Sequence, residues 1–123
     1  MPPDRRSLKI LVVDDEPVMR DVLSLYLTEY GHQVGTAVDG SDGLEKYSQD
    51  SWDLVLTDGI MPGMGGRELA TAIKKINANT PVFLVSGSAD MLLKGGEAGS
   101  PIDIVIRKPF TRATLSAALA GIR

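Results

Sequence analysis

Five polar side chains stand where this sequence stops being apolar. Asp14 and Asp15 follow Ile10-Leu11-Val12-Val13, and Asp58 follows Leu54-Val55-Leu56-Thr57. Ser86 follows Val82-Phe83-Leu84-Val85, and Lys108 ends Ile104-Val105-Ile106-Arg107-Lys108. Three carboxylates brought together repel one another unless a cation or a proton intervenes. Oxygen donors without histidine or cysteine select a hard ion such as Mg²⁺ or Ca²⁺. Lys108 supplies a mobile point charge and Ser86 a hydroxyl donor, both suited to phosphate oxygens. A carboxylate can itself be a nucleophile and become an acyl phosphate. The set is therefore competent to move a phosphoryl group onto an aspartate while the ion and the lysine neutralise charge.

These residues are spread over 95 positions, so the elements between them must bring them together. Short apolar runs alternate with helical patterns from end to end. The run Leu8 to Val13 lacks polar alternation, as expected of a strand covered on both faces. After Pro17, the positions Met19, Val22, Leu23, Tyr26, Leu27 and Tyr30 form one helix face that Gly31 closes. Gln33 to Ala37 reads as a polar edge strand, and Asp39-Gly40-Ser41-Asp42 as a turn into a weak helix around Leu44 and Tyr47. Leu54–Leu56, Val82–Val85 and Ile104–Ile106 are three further strands. Leu69, Ile73 and Ile76 mark a helix after the glycine-rich loop Pro62–Gly66. Asp90 to Glu97 is a poor helix, weakened by Gly95, Gly96 and Gly99 nearby. A last helix starts at Thr111, its cap, with Leu115, Ala118, Leu119 and Ile122 on one face.

Five β/α units in this length predict an α/β fold, a doubly wound parallel sheet with helices on both faces. All strands of such a sheet end along one edge, and ligands bind outside it where the strand order reverses. The acids, the serine and the lysine should meet there.

Composition sets the remaining limits. The chain has 123 residues, and 13 Lys+Arg against 16 Asp+Glu give a net charge of −3. This suits one domain and argues against a stand-alone nucleic-acid binder, which needs a basic face. No apolar run approaches ~18 residues, so no membrane span is expected. The polar start, residues 1–7, lacks the apolar core of a secretory signal and reads as a tail before a domain over 8–123. The absence of cysteine excludes disulfides and thiol chemistry. His32, the single histidine, reads as a surface residue between helix and strand, and Trp52 as packing at the start of a strand. No G-x-G-x-x-G or P-loop pattern follows any strand.

Together the motifs Val12-Val13-Asp14-Asp15-Glu16-Pro17, Asp53-Leu54-Val55-Leu56-Thr57-Asp58, Met61-Pro62-Gly63-Met64, Ser86-Gly87 and Lys108-Pro109-Phe110 resemble the receiver domain of two-component response regulators. The resemblance covers Lys9 to Gly121 in the family's order. It implies a flavodoxin-like five-stranded sheet in the order 2-1-3-4-5. It also implies that Asp58 is the phospho-acceptor, that Ser86 meets the phosphoryl group and that Lys108 pairs with it. Mg²⁺, or Mn²⁺ in its place, would be held by Asp15 directly, by Asp14 through water, by Asp58 and by the backbone carbonyl of Ile60. Pro109 would follow a cis bond. The implied donor is a phosphohistidine on a histidine kinase or phosphotransfer protein, with a downstream effector the residues do not name. No free small-molecule turnover is expected beyond self-directed phosphotransfer and autodephosphorylation.

Three features depart from the family pattern. Gly59 follows the acceptor where a side chain is usual, which gives the loop more freedom. Val105 stands where many receivers carry an aromatic or histidine switch residue. The segment Lys94–Pro101 copies the family's helix at that point poorly. A pseudo-receiver, binding partners without phosphorylation, is therefore the alternative. With nothing after Arg123, the output is expected on another chain or on a longer protein, a hybrid histidine kinase being one candidate because Asp103 to Thr111 resembles such receivers. The expected setting is cytoplasmic, as a monomer or a weak phosphorylation-dependent dimer, with no direct contact to nucleic acid or membrane.

Overall fold

The computed structural model describes residues 7–87 and 100–121. The described residues form, in chain order, β1 (Lys9–Val13), α1 (Pro17–Glu29), β2 (Gln33–Ala37), α2 (Gly40–Gln49), β3 (Leu54–Asp58), α3 (Gly66–Ile76), β4 (Val82–Ser86), β5 (Ile104–Arg107) and α4 (Arg112–Ala120). All strand pairings are parallel, in the order β2-β1-β3-β4-β5. The doubly wound α/β sheet expected from the alternation is present. The weak helix expected over Asp90–Glu97, residues 1–6 of the tail, and Ile122 lie outside the described residues.

Successive strand residues point to opposite faces, so two cores form. Ile10, Val12, Leu54, Leu56, Phe83 and Val85 pack with Leu23 and Leu27 of α1 and Leu115 and Leu119 of α4. Leu11, Val13, Val55, Val82 and Leu84 pack with Tyr47 of α2 and Leu69, Ala70 and Ile73 of α3. This double burial explains the apolar runs without alternation. Edge strand β2 is the polar one, with four of its five residues at least partly open and two of those exposed.

Local chemistry sets the element ends. Pro17 opens α1, and Gly31, at φ 91°, turns the chain after it. The Asp39 side chain accepts the Asp42 N–H and starts α2. The Thr111 hydroxyl accepts the Thr114 N–H and starts α4, as its sequence position suggests. Trp52 packs against the second core and donates its indole N–H to the Lys46 carbonyl.

His32 corrects the sequence reading. It is 5% exposed, its Nδ1 accepts the Leu8 N–H at 3.0 Å, and its own backbone N–H donates to the Leu27 carbonyl at 3.1 Å. The turn at Gly31 folds the ring beneath the start of β1, where a free backbone donor needs an acceptor.

Candidate functional site

The carboxyl ends of the strands carry the predicted residues to one edge. Val13 is in register with Thr57, Asp58 with Val85, and Ser86 with Arg107. Asp14, Asp58, Ser86 and Lys108 therefore each sit at or one residue past neighbouring strand ends. The Lys108 N–H donates to the Ser86 carbonyl at 3.0 Å, continuing the β4–β5 pairing. The Lys108–Pro109 peptide bond is cis, as the resemblance implies.

Lys108 is the hub. Its Nζ lies 3.5 Å from Asp58 Oδ1, 3.9 Å from Asp14 Oδ2 and 3.9 Å from Glu16 Oε1. One amine faces three carboxylates, and one oxygen from each of Asp14, Glu16 and Asp58 lies within 4.8 Å of the others. Asp14 is only 1% exposed. Its backbone is fixed at both ends, N–H to the Ala37 carbonyl at 3.1 Å and carbonyl to Arg20 Nη1 at 2.7 Å. Its Oδ1 accepts the Glu16 N–H at 2.9 Å, while Oδ2 is buried with no hydrogen-bond partner.

Such burial is electrostatically costly. Desolvation pushes the Asp14 carboxyl up to about 6; the Glu16 N–H opposes this, and the Asp58 charge adds to it. Desolvation also raises Asp58, against the pull of Lys108. A set of oxygens this close, one orphaned and two resisting ionisation, fits a hard divalent cation.

Ser86 is buried at the end of β4. Asp15 is exposed and does not belong to the close carboxylate group. Ile60 is 65% exposed in the loop after Asp58. Glu16 is the residue that sequence reasoning passed over as a site group. It stood in the quoted motif but carried no role, and the signal available was its place between the acids and Pro17.

Gly59 is buried, and its carbonyl accepts the Gly66 N–H at 3.1 Å, so the start of the loop after β3 is tied to α3. A Cβ on Gly66 would stand 2.2 Å from the Asp58 carbonyl oxygen, so only glycine lets α3 approach Asp58 this closely. Met61 is buried and Met64 partly so, both against the second core. Val105 packs against that core as well. Beside Lys108, an apolar groove of about 340 Å³ is lined by Met19, Val22 and Tyr26 of α1 and by Pro109 and Phe110. No described helix is long and apolar enough to cross a membrane.

The chain resembles known proteins over nearly its whole length. Sensor histidine kinase RcsC of Salmonella typhimurium is 37% identical over 114 residues, which are 93% of this chain and 12% of RcsC. Transcriptional regulatory protein TcrA of Mycobacterium tuberculosis is 32% identical over 118 residues, 94% of this chain and 46% of TcrA. The chain thus spans less than half of either relative. Among solved structures, response regulator TrrA of Thermotoga maritima, in complex with Mg²⁺–BeF, superposes with a TM-score of 0.86 at 30% identity, covering 94% of this chain and 99% of that one. Chemotaxis protein CheY4 of Vibrio cholerae gives 0.84 at 29% identity, covering 96% and 100%. The response regulator receiver domain model matches residues 10–120, and the chain belongs to that family.

Proposed function

We propose that the domain is a phosphorylation-controlled switch whose Asp58 accepts a phosphoryl group from a phosphohistidine on a partner kinase or phosphotransfer protein. The observation that carries this is the Lys108 amine set between Asp58 and the orphaned Asp14 Oδ2. In the transfer, an Asp58 oxygen bonds to phosphorus as the phosphorus–nitrogen bond breaks, and the imidazole keeps that electron pair. Lys108 and Ser86 receive the phosphoryl oxygens. Asp14, Asp15, Asp58 and the Ile60 carbonyl would hold Mg²⁺, or Mn²⁺ in its place, and the ion would supply positive charge against the transferred oxygens. Water later cleaves the acyl phosphate, so the domain resets itself without turning over a free substrate.

The donor docks over the groove between α1 and Phe110, which opens beside Lys108. The effector is a separate protein or domain, and the setting is the cytoplasm, without direct contact to nucleic acid or membrane. Val105, packed against the second core where many receivers carry an aromatic switch, favours a second reading, an interaction module indifferent to phosphorylation.

The two readings separate on the mass of the intact protein after incubation with acetyl phosphate and Mg²⁺. A gain of one phosphoryl group, lost on chelation and in Asp58→Asn, is expected of the switch. No gain, or a gain that Asp58→Asn leaves intact, supports the interaction module.

A further inference from the structure

Glu16 occupies the N-cap position of α1, where an acid ordinarily accepts a first-turn N–H. Its side chain makes no capping bond. It reaches instead toward the site, with Oε1 3.9 Å from Lys108 Nζ, and supplies the third carboxylate of the close group. Asp15, its neighbour, is exposed and outside that group. A second observation points to a ligand independently of the acids' number. Asp14 is nearly fully buried, its Oδ2 has no hydrogen-bond partner, and that oxygen faces the same lysine at 3.9 Å. The Glu16 backbone N–H occupies Oδ1 and so leaves Oδ2 for a cation.

We propose that Glu16 is a working carboxylate of the divalent-ion site, adding its charge to Asp14 and Asp58 and so raising the site's affinity for the cation. Glu16 is the flexible arm of the three, its side chain 66% exposed where that of Asp58 is 11%. It gives up its contact with Lys108 when the ion enters. Lys108 then keeps its contacts with Asp58 and Asp14. The inference rests on the reading of the acidic edge as a divalent-ion site.

The test is a titration of the whole domain with Mn²⁺, free ion being followed by its paramagnetic resonance signal. Wild type, Glu16→Gln, Glu16→Asp and Asp14→Asn are compared at low ionic strength and at high salt. Glu16→Gln is expected to weaken binding about three- to tenfold at low salt, the loss shrinking at high salt. Glu16→Asp, which keeps the charge, is expected to recover most of it. Because Glu16 is exposed and caps nothing, its variants should melt as wild type does without the ion. Equal affinity in wild type and Glu16→Gln, with Asp14→Asn weakened, overturns the role of Glu16 alone. Absence of Mn²⁺ binding in wild type overturns the ion site itself and this role with it.

Discussion

The two edges of the sheet use the same residue types in opposite ways. At the amino edge, the Asp53 carboxylate accepts the Lys9 N–H at 2.8 Å while the Asp53 N–H donates to the Lys9 carbonyl at 2.8 Å. Asp103 repeats the arrangement one strand pair away, accepting the Val82 N–H at 2.8 Å and donating to the Val82 carbonyl at 2.9 Å. Lys74 adds a 2.7 Å contact to Asp103, and Lys9 pairs with Asp50. That pairing, led by the Lys9 hydrogen bond, holds the Asp50 carboxyl below its ordinary value. At the carboxyl edge, Asp14 and Asp58 are raised above theirs, chiefly by burial, and one oxygen of Asp14 has no donor. One edge is satisfied and holds strands together. The other is left short of positive charge, which is the condition for binding a cation and an incoming phosphoryl group.

This contrast can be broken at either edge. Replacing Asp53 and Asp103 together by alanine removes two carboxylate caps on strand N–H groups, and each loss costs about 1.5 kcal/mol. A fall of about 3 kcal/mol in urea unfolding is expected, with phosphoryl acceptance per folded molecule unchanged. At the acidic edge, Mg²⁺ at about one hundred times its dissociation constant should raise stability by about 2.7 kcal/mol. Thermal melts should show this rise in wild type and much less of it in Asp14→Asn.

The pH dependence sharpens the same point. Because the Asp14 carboxyl is raised to about 6, the folded chain keeps a proton that the unfolded chain releases from about pH 4 upward. Its contribution is therefore lost as pH rises from about 4 to about 6 and stays lost above that. Asp14→Asn should accordingly be more stable than wild type by about 2 kcal/mol at pH 8 without divalent ions, and the advantage should vanish near pH 4. Equal stabilities at both pH values would contradict the strain assigned to this edge. The smallest effect belongs to the exposed Lys9–Asp50 pair, where Asp50→Asn should move the unfolding midpoint least of these variants in the same assay, and less still in high salt.

Much of this was legible in the residues. Apolar runs without alternation gave the buried parallel strands, and the polar residue at the end of each run placed Asp14, Asp58, Ser86 and Lys108 on one edge. Strand period and register carry that information. Side-chain direction is another matter. An acid at a helix start reads as a cap by local rule, yet Glu16 turns to a lysine 92 positions away, a contact that only the packed sheet creates. His32 beside a glycine reads as surface for the same reason; its acceptor role depends on where β1 begins. Asp53 and Asp103 look like ordinary turn acids until the parallel pairing shows that each caps the strand beside its own. Residues 94–99 of the segment that departs from the family pattern lie outside the described residues.

The most direct measurement is chemical identification of the acceptor. After exposure to acetyl phosphate and Mg²⁺, the protein is treated with borohydride, which reduces an acyl phosphate to the alcohol. The peptide carrying Leu54–Gly66 is then sequenced by mass spectrometry. Reduction of residue 58 to homoserine, dependent on both Mg²⁺ and Lys108, is the expected result. An unreduced Asp58, or a reduced acid elsewhere in the chain, would contradict a phosphoryl-accepting site at this edge.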